Sequence, residues 1–181
     1  MKYRIGVNGH LASRALLDLA AQAGLQSMRG DFNWDDMHPE PDPNPAHWRW
    51  GPTDALVYGC RERDMEVFAT LAYTPDWVNG GQGRYVPPHN IEDWRQFVRA
   101  VAARYRHNVW YWGLWNEPNR DFFRGTVEQY VQLIVTPAAE ILHAIGPENR
   151  VCGPDLATEG DWPSWFKLML GFQEQAPENV R

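Results

Sequence analysis

The chain has 181 residues, enough for one domain with a substantial hydrophobic core. Its formal net charge is −6 and no basic block stands out, which argues against nucleic-acid binding. The 10 tryptophans exceed what a core of this size needs and favour a carbohydrate ligand, because sugar rings present flat C–H faces to aromatic rings.

No stretch of the sequence is long and apolar enough to cross a membrane, and the first five residues lack the apolar run of a signal peptide. We therefore expect a cytoplasmic protein, or a secreted one whose leader was removed. The 6 histidines show neither a His-Glu-x-x-His motif nor a Cys/His ligand spacing. We expect no metal site and no cofactor.

The first third of the chain contains two predicted strands, one helix and a proline-rich loop. A strand over residues 3–8 precedes a helix over residues 14–23, which Ser13 caps. A second strand covers residues 25–31. The loop 37–45 that follows is too rich in proline to enter a central strand.

The middle of the chain continues the alternation. Thr53 is predicted to cap a helix that ends near residue 63, and residues 65–73 form a third strand. A loop rich in glycine and proline, residues 79–90, leads into a helix over residues 91–106. The apolar side chains of this helix recur at spacings of three and four, as in a helix docked on a core: Trp94, Phe97, Val98, Val101 and Tyr105.

The last third begins with an aromatic, apolar run over residues 109–115, which is predicted to be a buried fourth strand. Thr126 starts a long helix that Pro137 should kink. A fifth strand covers residues 150–154, and a helix follows over residues 162–170.

Five β-α repeats are typical of a parallel sheet with helical crossovers. The predicted fold is α/β, a partial (βα)8 TIM barrel of about five β-α units in a single truncated domain over residues 1–181. A complete barrel typically needs ~250 residues.

Glu117 follows the fourth strand directly, at the end of a parallel strand where barrel enzymes place their chemistry. Indole rings near it would shield its carboxyl group from water and favour the neutral form, which can donate a proton. A glycosidase needs such a general acid. The alternative is a glutamate that caps the next helix.

The residues at the four strand ends together resemble a known family. They are Asn8-Gly9-His10, Arg29-Gly30-Asp31-Phe32-Asn33-Trp34, Tyr73-Thr74-Pro75-Asp76-Trp77 and Trp115-Asn116-Glu117-Pro118-Asn119. In this order they resemble the clan A retaining glycoside hydrolases, family 39 most closely and also family 5. The likeness runs over nearly the whole chain.

The resemblance implies a hydrolase of β-linked saccharides in which Glu117 is the acid/base carboxyl. It also implies that Asn116 hydrogen-bonds the sugar 2-hydroxyl and that Arg29 steadies the catalytic carboxylates. Five further residues match positions that line the sugar site: His10, Trp34, Tyr73, Trp77 and Trp115.

Several of these residues also have a purely structural interpretation. Trp34 and Trp77 could pack under their proline-rich loops, and His10 could cap the following helix. Side-chain alternation along a strand turns Asn116 and Glu117 to opposite faces. A turn or bulge at the strand end is therefore needed to bring both into one site.

The sequence departs from the family in one respect, since the family's nucleophile is a second glutamate after strand seven and only five strands are predicted. Three interpretations remain. A substitute carboxylate could come from Asp31, Asp155 or Glu159. Two copies could cover each other's open sheet as a homodimer or higher homo-oligomer. The third interpretation is a non-catalytic carbohydrate-binding or vestigial barrel fragment.

Arg29 bears on this choice. With no nucleophile to serve, Arg29 could pair with Asp31, Asp36 or Glu117, and a pairing with Glu117 would favour the ionised form and weaken it as an acid. The residues after 170 are too polar for us to expect that they cover the open face.

Overall fold

Five parallel strands form one sheet in the computed structural model of the chain, which describes residues 5–175. Each strand pairs with the next one along the chain, so the spatial order equals the sequence order. The strands are β1 (Gly6–Asn8), β2 (Ser27–Asn33), β3 (Glu66–Ala72), β4 (Val109–Leu114) and β5 (Arg150–Cys152). The predicted α/β fold with a parallel sheet is therefore confirmed, although the start of the first predicted strand lies outside the described residues.

A helix follows each strand. The helices are α1 (Arg14–Gln22), α2 (Trp34–Met37), α3 (Gly51–Arg61), α4 (Asp76–Asn79), α5 (Ile91–Arg104), α6 (Val127–Gln129), α7 (Thr136–Ile145) and α8 (Trp162–Gln175). Residues Pro45–His47 form one 3-10 turn. The two short helices, α2 and α4, come directly after strands β2 and β3 and lie at the rim where the site is expected.

Side-chain caps fix where three of the helices named above, α1, α5 and α6, begin. The Ser13 hydroxyl accepts a hydrogen bond from the amide of Leu16, which confirms the predicted cap. The helix predicted to start at Thr126 does so, and Thr126 forms a reciprocal capping box with Gln129. The predicted Thr53 cap is wrong. Helix α3 starts three residues earlier, with Trp50 at the N-cap position, because Pro52 in its first turn has a φ angle already suited to a helix.

The long helix after β4 is not uniform. Residues Tyr130–Val135 form a π-helical segment between α6 and α7, and Pro137 lies in the first turn of α7. Proline lacks the amide hydrogen that an α-helix needs at this point, so the preceding turn must adopt another hydrogen-bonding pattern. The π-helical segment lies directly before Pro137, where the sequence predicted a kink.

The core lies between the sheet and the helices and is unusually aromatic. The predicted stripe on α5 and its C-cap is confirmed, because all five side chains are fully buried: Trp94, Phe97, Val98, Val101 and Tyr105. Of the three leucines on α1 only Leu17 is buried, whereas Leu16 and Leu19 are exposed.

Both edges of the sheet are open within residues 5–175. Strand β1 is exposed throughout, and β5 is at most half-buried. Exposed edges and apolar side chains near them, such as Ile5 and Val7, support the self-association that the sequence led us to expect, and it stays a prediction. None of the helices in the described part of the chain is both long and apolar enough to cross a membrane.

Candidate functional site

The residues proposed from the sequence lie at the carboxyl ends of the strands. Because the five strands are parallel, these ends share one rim of the sheet. In strand order the rim carries His10 after β1, Arg29 and Asp31 on β2, Tyr73 after β3, Asn116 and Glu117 after β4, and Asp155 after β5.

The backbone at this rim is strained. Among the described residues, five that are not glycine have a positive φ angle, and four of these follow strands: His10 at 51°, Tyr73 at 68°, Trp115 at 70° and Glu117 at 44°. Such conformations cost energy and tend to cluster at functional sites. The two after β4 supply the irregular turn that Asn116 and Glu117 require.

Arg29 is the centre of a polar cluster. Its Nη2 donates hydrogen bonds to Asn116 Oδ1 at 2.8 Å and to Asp155 Oδ2 at 3.2 Å. Its Nη1 lies 3.5 Å from Asp31 Oδ1, and its side chain is only 18% exposed. The possible pairing of Arg29 with Glu117 is not observed, because the two aspartates neutralise the guanidinium instead.

His10 extends the cluster to β1. Its Nδ1 lies 2.7 Å from Asp31 Oδ2, and the imidazole is 70% exposed. Asp31 therefore faces Arg29 with one oxygen and His10 with the other. This contact places His10 at the open side of the rim.

Glu117 is held through its backbone. Its amide donates to the carbonyl of Asp155 at 2.8 Å, and its carbonyl accepts from the amide of Arg120 at 2.9 Å. The residue is half-buried, and within residues 5–175 its carboxyl group has neither a hydrogen bond nor an ion pair. The backbone is thus fixed while the carboxyl group stays available.

Tyr73 lies next to an ion pair between Arg84 and Asp35. The Arg84 guanidinium lies 4.3 Å from the centroid of the Tyr73 ring, and Arg84 Nε lies 3.1 Å from Asp35 Oδ2. Burial raises the pKa of Tyr73, and the nearby Tyr85 adds to this effect. Burial also raises the pKa of Asp35 to about 6, although Arg84 opposes the shift.

Asp35 should make the stability of the protein depend on pH. Between about pH 4 and pH 6 the folded protein keeps a proton on Asp35 that the unfolded chain releases, so stability falls as the pH rises through this range. We expect Asp35→Asn to remove this contribution. Melting temperatures of both proteins across this range test it: the wild type should lose stability relative to the variant as the pH rises.

Asp121→Asn is the matched control, because Asp121 is exposed and is not one of the groups that shift the pKa of Asp35, so this variant should keep the wild-type dependence of stability on pH. Parallel melting curves for the wild type and Asp35→Asn would contradict the assignment.

Two of the tryptophans expected to line the sugar site belong to the core. Trp34 is fully buried and stacks on Phe97 at a centroid distance of 5.3 Å. Trp115 is also fully buried, and its indole N–H donates to the carbonyl of Phe122 at 2.6 Å. The expectation is therefore wrong for both residues, since neither offers a ring face to a ligand.

Trp77 and Glu159 lie at the margins of the site. Trp77 is half-buried, and its indole N–H donates to the carbonyl of His38 at 3.0 Å, under the proline-rich loop. Glu159 is 83% exposed and pairs with Arg120 at 3.5 Å, outside the Arg29 cluster. Of the three possible substitute carboxylates, only Asp31 and Asp155 contact Arg29.

Four rim residues escaped the sequence analysis: Asp35, Arg84, Tyr85 and Phe122. All come from short helices or loops, where no periodic pattern marks a side chain. The one usable signal was the aromatic pair Phe122-Phe123 in an otherwise polar segment shortly after Glu117.

A cavity of about 490 Å³ lies elsewhere, between β5, α7 and α8. Its lining is largely apolar and includes Val151, Met169 and Phe166. Neither Glu117 nor Arg29 lines it, so this cavity is separate from the candidate site.

Solved structures share this fold over part of their length. A glucosidase from Croceicoccus marinus matches with a TM-score of 0.74 and 21% identity, over 98% of this chain and 42% of that one. A monomeric beta-xylosidase from Caulobacter crescentus CB15 matches with a TM-score of 0.71 and 21% identity, over 94% and 39%. Xylanase 10B from Thermotoga maritima matches with a TM-score of 0.68 and 15% identity, over 95% and 56%.

The chain thus spans about two fifths of the length of the first two structures, and the prediction of a partial TIM barrel is confirmed. No curated protein matches the sequence significantly. The sequence profile of glycosyl hydrolases family 39 matches residues 16–181, which is most of the chain. The chain therefore belongs to glycosyl hydrolases family 39.

Proposed function

We propose that this chain carries the acid/base part of a glycosidase site for β-linked saccharides, with Glu117 as the general acid/base. The observation that carries the proposal is the presentation of Glu117 at the rim. Its backbone is bonded on both sides, whereas its carboxyl group has no partner within residues 5–175. A carboxyl group held in this way can reach a glycosidic oxygen without first breaking an ion pair.

The orientation of Asn116 supports the proposal. Arginine can only donate hydrogen bonds, so the atom of Asn116 that faces Arg29 must be its oxygen. The amide N–H₂ then points away from Arg29, and it also lies within hydrogen-bonding reach of the Tyr73 hydroxyl. One of its two N–H groups can bond to the Tyr73 hydroxyl, and the other can donate to a hydroxyl of a sugar bound beside Glu117.

Hydrolysis needs a second carboxylate, and Asp155 is the residue we favour. Retention of configuration needs two carboxyl groups ~5 Å apart, whereas inversion needs roughly 6.5–9.5 Å with a water between them. Asp155 is bonded to the backbone of Glu117 and shares Arg29 with Asn116. Asp31 is the other candidate, but His10 and Arg29 already occupy both of its oxygens.

A non-catalytic sugar-binding role is the second candidate function. Its support is the coverage of the similar structures, because the chain corresponds to 42% of the glucosidase and 39% of the xylosidase. The rim formed by these five β-α units could bind a saccharide by itself. The prediction of one domain over residues 1–181 is part of both proposals.

Two measurements on the wild-type protein separate the candidates. Release of nitrophenol from 4-nitrophenyl β-D-glucoside and β-D-xyloside tests hydrolysis, and tryptophan fluorescence titrated with β-1,4-linked oligosaccharides tests binding. We expect both signals. Binding without hydrolysis would favour the second function, and the absence of both would overturn the proposal.

A further inference from the structure

Arg84 joins two segments of the rim that have no part in the proposed chemistry. Its Nη2 donates to Asp35 Oδ1 at 3.1 Å, and its Nε lies 3.1 Å from Asp35 Oδ2, so two nitrogens of the guanidinium face the carboxylate. Asp35 lies on α2, directly after β2, whereas Arg84 lies on the loop between α4 and α5. The ion pair therefore connects the segment after β2 to the one after β3.

Both members of this pair are partly withdrawn from water. The Asp35 side chain is 19% exposed, and the Arg84 side chain is 37% exposed. Asp36 is a second acidic group near Arg84, but its Oδ2 lies 3.9 Å from Arg84 Nη2 and accepts a hydrogen bond from Asn33. Asp35 is thus the main partner of Arg84 among residues 5–175.

Arg84 in turn holds Tyr73. Its guanidinium carbon lies 4.3 Å from the centroid of the Tyr73 ring, and its carbonyl accepts a hydrogen bond from the amide of Thr74 at 2.9 Å. Tyr73 has a φ angle of 68°, a conformation that costs energy and persists only where surrounding contacts hold it. Arg84 supplies one such contact through its side chain and another, to the next residue, through its backbone.

Tyr73 extends these contacts to the candidate site. Its hydroxyl lies within hydrogen-bonding reach of the Asn116 side chain, whose oxygen accepts a hydrogen bond from Arg29 at 2.8 Å. A continuous series of contacts therefore links the Asp35–Arg84 pair to Asn116.

We propose that Asp35 positions the side-chain amide of Asn116. It does so by holding Arg84 against the ring of Tyr73, whose hydroxyl lies beside that amide. The inference rests on the proposed function, because Asn116 is the group proposed to donate to the bound sugar. The orientation of Asn116 can nevertheless be measured without any turnover.

This positioning should depend on pH. Burial raises the pKa of Asp35 to about 6; Arg84 opposes the shift and Asp36 adds to it. Above about pH 6 the carboxylate is charged and binds the guanidinium strongly, whereas below about pH 6 the neutral acid binds it less strongly. Arg84 should therefore be held over Tyr73 at neutral pH and loosened as the pH falls through about 6.

The test follows the side-chain amide signals of Asn116 in proton–nitrogen NMR correlation spectra, which Asn116→Ala assigns by their loss. In the wild type these signals should shift with a midpoint near pH 6. In Asp35→Asn, which has no charge to titrate at this position, that transition should be absent. Shifts that come from other rim groups, such as His10, stay in both proteins.

Kinetics give a second readout. At about pH 7.5, Asp35→Asn should lower kcat/KM for 4-nitrophenyl β-D-glucoside about 3- to 10-fold, as for one ordinary hydrogen bond that is no longer well aligned. The loss should fall mainly on kcat, because hydrogen bonds to sugar hydroxyls strengthen in the transition state. Below about pH 6, where the wild-type Asp35 is itself neutral, the two proteins should converge.

Three further variants separate positioning from a general effect on the fold. Asp76→Asn removes an exposed carboxylate of α4 that is not among the groups that shift the pKa of Asp35, and it should change neither readout. Asp35→Glu keeps an acid that can reach Arg84, and it should retain a pH-dependent Asn116 signal. Arg84→Gln removes the other member of the pair and should suppress the same transition, so the inference does not depend on one substitution.

An Asn116 signal that titrates alike in the wild type and in Asp35→Asn would overturn the inference, whether or not the wild type hydrolyses glycosides. Equal kcat/KM at about pH 7.5, in a wild type that is active, would also overturn it. A wild type that shows the transition near pH 6 but no hydrolysis would support the positioning by Asp35 and contradict the proposed function. The two proposals can therefore fail separately.

Discussion

Glu117→Gln should reduce kcat/KM for β-linked oligosaccharides by about 10²- to 10⁴-fold, the usual contribution of a general acid. Glutamine has nearly the shape of the carboxylic acid but cannot donate a proton to the leaving oxygen. Affinity for the oligosaccharide should stay within about twofold, because the carboxyl group has no partner among residues 5–175 whose arrangement its loss would disturb.

The dependence on the leaving group makes this test specific. A nitrophenolate ion leaves without much help from an acid, so the variant should lose less of its first-step rate on nitrophenyl glycosides than on oligosaccharides. Glu159→Gln is the matched control, since Glu159 is 83% exposed and pairs only with Arg120. Rates that fall equally on both substrate classes, or do not fall at all, would contradict the role of Glu117 as acid.

Much of the fold could be predicted because its signals are local. The strand over 109–115 is a short apolar run, and the α5 stripe repeats every three or four residues. The caps at Ser13 and Thr126 each involve a hydrogen bond to a residue three positions away. Thr53 shows the limit of such signals, because a proline in the same turn decided where the helix begins.

The site could be predicted only in part, because its contacts join residues that are far apart along the chain. Arg29 reaches Asn116 across 87 positions and Asp155 across 126, and no pattern in the sequence states which carboxylate it selects. Likewise, Tyr85 lies on a loop without periodicity and meets Phe122 only in space.

Tryptophan was the least reliable residue type for prediction. A tryptophan at a strand end suits a sugar platform and a core equally well by composition. What decides between them is whether other elements cover the ring. Trp34 is covered by Trp94 and Phe97 of helix α5, which is far along the chain, so its burial could not be inferred from its neighbours in sequence.

The burial of Trp34 leads to a large expected effect on stability. Trp34→Ala should lower the free energy of unfolding by about 3–5 kcal/mol, as for other fully buried large aromatic residues. The ring stacks on Phe97 and meets Trp94 and Trp77, so its removal leaves a cavity that three other rings line. Equilibrium unfolding in guanidinium chloride, followed by circular dichroism, measures the difference.

Two further variants separate a core role from a role in binding. Trp162→Ala removes a tryptophan that is 42% exposed on α8 and should change the free energy of unfolding by less than about 1 kcal/mol. Trp34→Phe keeps an aromatic ring in the core, so oligosaccharide affinity should stay at the wild-type level. If Trp34→Phe abolished binding without loss of stability, Trp34 would contact the sugar after all, and its assignment to the core would be wrong.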